Sequence, residues 1–158
     1  MSNMNDLDDY DRKILRILSS NGRTSITDLA REIGLSKTPC QMRLKKLEEK
    51  GVITGYQAIL DPVKLGLDHI AFVEVKLDDT REAALTEFNR RVTGLPEIEQ
   101  CHMIAGSYDY LLKVRTQNMR DYRRILGEVI SSLPHVANTS TFVSMEAVKD
   151  ENFEGQRL

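Results

Sequence analysis

A chain of 158 residues, 41% hydrophobic and 29% charged, can hold one medium domain or two small ones without disulfide or metal staples, which excludes disordered, collagenous and coiled-coil classes. The longest purely apolar run, Ile70 to Val73, cannot span a bilayer, and the acidic start MSNMNDLDDYD lacks the features of a signal peptide, so a cytoplasmic protein with no membrane partner is expected. Net charge is −2, yet residues 1–65 carry +2 and residues 66–158 carry −4, and Gly34 to Leu47 holds Lys37, Arg43, Lys45 and Lys46 with no acid.

From the start, Asp8 or Asp9 caps a first helix with Ile14, Leu15, Ile17 and Leu18 as its apolar stripe, closed by Asn21-Gly22. Thr24 or Ser25 caps a short second helix that buries Ile26, Leu29, Ala30 and Ile33. Gly34 then supplies the left-handed residue for a sharp turn, with Leu35 as its plug. Ser36 caps a third helix that begins Lys37-Thr38-Pro39, where proline is tolerated because first-turn amides lack partners, and runs to about Lys50. Two helices separated by a glycine turn of three to four residues satisfy the requirement of a DNA-reading helix-turn-helix.

At about 100° per residue, Cys40, Leu44 and Leu47 share the inner face of that third helix. Thr38, Met42, Lys45 and Glu49 point away, flanked by Gln41 and Lys46. Gln suits adenine edges, Lys suits guanine edges or phosphates, and Met or a Thr methyl can touch a thymine methyl. Lys37 and Arg43 lie toward the sides, placed for phosphate, and the amides behind Ser36 add an anion site. A three-helix bundle with a solvated basic helix is the competing reading. Gly51 to Leu60 has strand propensity and glycine punctuation, the mark of a wing or of a linker strand leading to Asp61-Pro62.

Next, His69 to Leu77 alternates as a strand with Ala71, Val73 and Val75 on one face, and Arg81 to Val92 reads as a helix stopped by Gly94 and Pro96. Glu97 to Ala105 and Tyr108 to Thr116 read as two strands joined by a tight hairpin at Gly106-Ser107. A helix from Met119 to Leu133, with Met119, Tyr122, Ile125, Leu126, Val129 and Leu133 inward, precedes a last strand from Val136 to Val148. The fold class is α+β: an N-terminal winged helix-turn-helix (1–54), a linker strand or hinge (55–66), a ferredoxin-like βαββαβ domain (67–150) and a tail (151–158). A sheet covered by helices on one side only leaves the other bare, so a dimer or larger assembly is expected.

The segment AGSYDY gathers glycine, hydroxyl, aromatics and carboxylate within six residues. A turn alone explains Gly106, Ser107 and Asp109. Alternatively Asp109 pairs an α-ammonium, amides near Gly106 hold a carboxylate, and Tyr108 or Met103 lines an apolar pocket. Thr139, Ser140 and Thr141 are ordinary strand residues that could also contact a ligand. Enzyme chemistry has thin support: His69, His102 and His135 are scattered without catalytic motif context, and Cys101-His102 sits in a strand, where neighbours face opposite ways. Cys40 and Cys101 lack metal-ligand spacing, so no metal, cofactor or catalysis is expected. An oligomeric metabolite-sensing module without DNA binding and a small ferredoxin-like enzyme remain the alternative functions.

The chain resembles the Lrp/AsnC (leucine-responsive/asparagine, feast-famine) transcription regulators over nearly its whole length. The resemblance lies in LDDYDRKILRIL, NGRTSITDLAREIGLSKTPCQMRLKKLEEKGVITGYQAIL, FVEVKL, IEQCHMIAGSYDYLLKVR, MRDYRRILGEVISSLPHV and TSTFVSMEAVK. It implies a sequence-specific activator or repressor of amino-acid metabolism genes, proline use among them, that binds double-stranded DNA through Ser25 to Leu44 and the basic turn that follows. It also implies dimers assembling to octamers, with an amino-acid effector bound between dimers near Met103, Gly106, Tyr108, Asp109, Met119 and Thr139, Ser140, Thr141 and Phe142.

Overall fold

The computed structural model describes residues 6–150, and the chain divides between Ala58 and Ile59 into two compact units. The expected tail, 151–158, lies outside the described residues.

The first unit contains α1 (Asp9–Ser20), α2 (Ile26–Ile33) and α3 (Lys37–Glu49). Asp8 caps α1 in a reciprocal box with Asp11, and Ser25 caps α2 by accepting the Asp28 amide at 3.1 Å. Ile14, Leu29, Ala30, Ile33, Cys40 and Leu47 are buried together, each large aliphatic contributing roughly 1.5–3 kcal/mol by leaving water. Gly34 ends α2 at φ +78°, and the Leu35 amide donates to the Ala30 carbonyl at 2.9 Å, which drops Leu35 onto the core. A Cβ at Gly34 would meet nothing within 4 Å, so Gly34→Ala is expected to cost only the left-handed backbone term, about 1 kcal/mol. A lowered urea midpoint at unchanged slope is the measurement.

The expected strand after α3 does not form: residues 51–68 contain none. Gly51, at φ +68°, turns the chain, and the amides of Val52 and Ile53 both donate to the Leu47 carbonyl. These β-branched side chains pack on the helical core, so the stretch that reads as a strand is used to close α3.

The second unit runs β1 (His69–Leu77), α4 (Glu82–Thr93), β2 (Ile98–Met103), β3 (Tyr110–Thr116), α5 (Met119–Glu128), a 3-10 turn (Ile130–Ser132) and β4 (Val136–Val143). The strands form one antiparallel sheet in the order β2-β3-β1-β4, the ferredoxin-like arrangement. Ala71, Val73, Val75 and Leu77 of β1 and Tyr110, Leu112 and Val114 of β3 pack with Phe88 and Val92 of α4 and Tyr122 and Ile125 of α5. The Phe88 and Tyr110 ring centroids lie 4.3 Å apart.

Three connections or element ends and one side-chain placement depart most from expectation. The tight hairpin at Gly106-Ser107 is a six-residue connection, Ile104 to Asp109, closed by the Ile104 amide donating to the Asp109 carbonyl at 2.9 Å and tied to β1 by the Asp109 amide donating to Val75 at 2.9 Å. Helix α5 ends at Glu128, after Gly127, and tightens into the 3-10 turn that buries Ile130 and Leu133. Met119 is 56% exposed, not inward: as the first helical residue it precedes the buried turn and lines a surface cavity of about 310 Å³ with Tyr122 and Leu126. Strand β4 stops at Val143, opposite Ala71, and Ser144 donates one more bond, to Ile70 near the start of β1.

Candidate nucleic-acid interface and effector region

Helix α3 stands on the core through Cys40, Leu47 and half-buried Leu44, which fixes its opposite face outward. Lys37, Thr38, Gln41, Met42, Lys45 and Lys46 are all exposed. Met42 is 68% exposed; a large apolar side chain among cations, with no acid between Gly34 and Leu47, suits a surface that meets base edges and phosphates. Lys45 lies 3.5 Å from Glu49 at an exposed position where such pairs are worth little and yield easily. Ser36 occupies the cap position of α3 without a side-chain cap bond.

Arg43 is different. Its Nη1 donates to Asp8 and Asp11, contacts that the sequence reading did not anticipate although the D-x-x-D spacing of Asp8 and Asp11 carries the signal. The Asp11 amide and the Arg43 guanidinium hold the Asp8 carboxyl below its ordinary range. Also unanticipated is Tyr56, whose hydroxyl donates to Glu48 at 2.7 Å; burial, then that carboxylate, pushes its pKa to about 12.

In the sheet unit the nine candidate effector residues do not converge within one chain. Met103, Gly106, Tyr108 and Asp109 cluster at the start of β3, whereas Met119 follows its far end, about 20 Å away for a seven-residue strand. Along β4, Thr139 and Thr141 pair with Val75 and Val73 and share the helix-covered face, and Thr141 meets the Tyr122 hydroxyl at 2.5 Å. Ser140 and Phe142 face the other way, and the Ser140 and Tyr108 hydroxyls lie 2.8 Å apart.

Asp109 is committed inside the chain: one carboxylate oxygen accepts from the Leu77 amide at 2.8 Å and the other from Lys76 Nζ at 3.1 Å. Cys101 is paired with Leu112 on the covered face and His102 with Leu111 on the open face. Burial pushes the Cys101 thiol to about 11, so the two do not make a nucleophile and base. Among the described residues no cluster of His, Cys, Asp and Glu could hold a metal, and no helix is long and apolar enough to cross a membrane.

A helix-turn-helix with a projecting basic helix, joined to a ferredoxin-like sheet domain, defines the class of DNA-binding transcription regulators that carry a ligand-binding domain. Residues 7–54 match the winged helix-turn-helix DNA-binding family and residues 70–152 the Lrp/AsnC ligand binding domain. The chain is 63% identical to a proline dehydrogenase transcriptional activator of Rhizobium radiobacter, over 92% of this chain and 93% of that protein. It is 55% identical to a protein of the same name from Rhodobacter capsulatus, over 92% and 95%. Among solved structures, an AsnC family transcriptional regulator from Agrobacterium tumefaciens superposes with TM-score 0.86 at 34% identity, covering 93% of this chain and 95% of that one. A Neisseria meningitidis transcriptional regulator in complex with L-Met superposes with TM-score 0.84 at 30% identity, over 92% and 94%. This chain belongs to the Lrp/AsnC family of transcription regulators.

Proposed function

We propose that this regulator activates a proline-catabolic gene, reading its DNA through the outer face of α3 and responding to an amino acid bound in the sheet domain. The observation that carries the DNA-reading half is that face itself: Thr38, Met42 and Lys45 outward, flanked by Gln41 and Lys46, on a helix whose inner face is locked into a core. The target gene follows from the names of the two relatives at 63% and 55% identity, and the amino-acid effector from the L-Met complex of the Neisseria meningitidis protein together with the ligand-binding domain match. Lys37 and the α3 amides behind Ser36 serve phosphate.

Because Met119 stands at the opposite end of β3 from Met103, Gly106, Tyr108 and Asp109, the effector site is proposed to be shared between copies, with homodimers joining into an octamer. Pairing of two such chains would also let a small helix-turn-helix read two half-sites together. No part of this reading needs catalysis, and it places the protein in the cytoplasm.

A mobility-shift assay on DNA upstream of a proline dehydrogenase gene, with and without L-proline, tests the proposal. Absence of binding at low salt would leave a metabolite-sensing module. Lys45→Ala is expected to weaken binding and to reduce the slope of log K against log salt by about 0.9 for each half-site bound, whereas Met42→Ala should chiefly change which sequences are selected. The reverse pattern would sink the assigned orientation of α3.

A further inference from the structure

Arg43 stands beside the reading face of α3, where a cation would ordinarily be assigned to a phosphate. Its Nη1 instead lies 2.6 Å from Asp8 Oδ2 and 2.9 Å from Asp11 Oδ1, and its Cζ lies 5.2 Å from the centroid of the Tyr10 ring. The same carboxylates build the start of α1: Asp8 Oδ1 accepts from the Asp11 amide at 2.9 Å, and Asp11 Oδ2 from the Asp8 amide at 3.3 Å. Each carboxylate thus spends one oxygen on the first turn of α1 and the other on the middle of α3.

Two features make this more than a surface ion pair. Asp11 is only 14% exposed at its side chain and Arg43 32%, so screening by water is partial. One guanidinium nitrogen meets two carboxylates while the guanidinium carbon stands over a ring, which fixes the direction of the side chain. A cation already outnumbered by its own carboxylates has little charge left for a phosphate, and withdrawing it would leave two adjacent carboxylates unpaired. The hydrogen bonds that Arg43 donates to Asp8 and Asp11 raise its pKa further.

We propose that Arg43 is a positioning residue for DNA recognition: it sets the rotation of α3 against α1, and so where Thr38, Met42 and Lys45 stand, and makes no phosphate contact. The lever is short. A rotation of about 20° moves an outward side chain roughly 6 Å from the helix axis by about 2 Å, enough to break hydrogen bonds to a base edge. The proposal rests on α3 being the reading helix.

The test uses the full chain and one duplex selected by the wild-type protein from a random pool, titrated over a salt series. Arg43→Gln is expected to bind about tenfold more weakly at every salt concentration with its salt slope unchanged, and to select a broader set of sequences. A slope shallower by about 0.9 for each half-site bound would make Arg43 a phosphate contact and overturn the proposal.

The double variant Asp8→Asn with Asp11→Asn reads the sign. Removing two negative charges near DNA should tighten binding if electrostatics alone matters, whereas loss of the tie should weaken it. Asparagine still caps a helix, so α1 keeps its start. Tighter binding overturns the proposal, and this variant decides if Arg43→Gln does not fold. Lys45→Ala, run in parallel, separates the two readings. If Lys45→Ala leaves affinity and slope untouched, α3 is not the reading helix and both fall. If it behaves as expected while Arg43→Gln flattens the slope, only the positioning role falls.

Discussion

Glu99→Ala is expected to destabilise the sheet domain by about 3–5 kcal/mol, because it removes a carboxylate that pairs with two buried cations at once. Lys113 and Arg115 sit two residues apart on β3, facing away from the helices, yet Arg115 is only 3% exposed. Glu99 binds both, at 3.0 Å to Lys113 Nζ and 3.0 Å to Arg115 Nε, and Asp150 pairs with both from the other side. Arg115 also donates to the Leu67 carbonyl at 3.0 Å, so the guanidinium is held on several sides. Urea unfolding of the variant measures the loss, and a loss below about 1 kcal/mol would mean that Asp150 and water satisfy the pair. Glu99→Gln should cost less, since an amide oxygen still accepts from Arg115.

The cluster also has a pH signature. Burial would raise the Asp150 carboxyl, but hydrogen bonds and charge from Lys113 and Arg115 outweigh it and hold it below its ordinary 3.8. A carboxyl depressed in the folded state contributes fully above 3.8 and loses that contribution as pH falls through its lower folded value. Stability measured across that acid window should therefore fall for the wild type, and Asp150→Asn should remove part of the fall.

Asp109→Ala is expected to abolish the effector response while leaving effector-free DNA affinity intact. The substitution strips the Leu77 amide and Lys76 of their acceptor, at a cost of about 1–3 kcal/mol, and frees the Ile104–Asp109 connection. Calorimetry with L-proline, L-leucine and L-methionine should show at least about a tenfold loss of affinity for the amino acid that binds the wild type. Undiminished binding would put the effector elsewhere. Asp109→Asn distinguishes two ways of acting: an amide can still accept from Leu77 but cannot pair an ammonium. If Asn preserves the response, Asp109 works by holding the loop.

The helices of the first unit are legible because their stripes and stops agree with their caps, although Ser36 makes no side-chain cap bond to α3. Asp8, Ser25 and Gly34 each stand where the structure uses them, and Cys40 and Leu47 are buried as their spacing requires. Strand β1 is equally plain, since alternation over HIAFVEVKL matches a strand with one face covered. What escaped were features decided by partners far along the chain. Val52 and Ile53 have strand propensity but find a helix end instead of a neighbouring strand.

The AGSYDY segment has the composition of a tight turn, and only the distant Val75 and Leu77 make it a longer loop. Arg43 reads as a phosphate ligand until its partners 35 and 32 residues earlier are known. Lys113 and Arg115 gave no warning of burial, because local alternation assigns them to a solvent face and the carboxylates that admit them come from β2 and the C-terminal segment. That Met119 stands at the opposite end of β3 from Met103, Gly106, Tyr108 and Asp109 emerges only from the topology.

The place of Asp150 bears on how the sensor could be grafted onto a different DNA-reading head. The last strand finishes at Val143, and a designer trimming to the sheet would cut there. That cut discards Asp150, one of two carboxylates that pair with both Lys113 and Arg115. A transplantable cassette therefore has to run at least to Asp150, well past its final hydrogen-bonded strand.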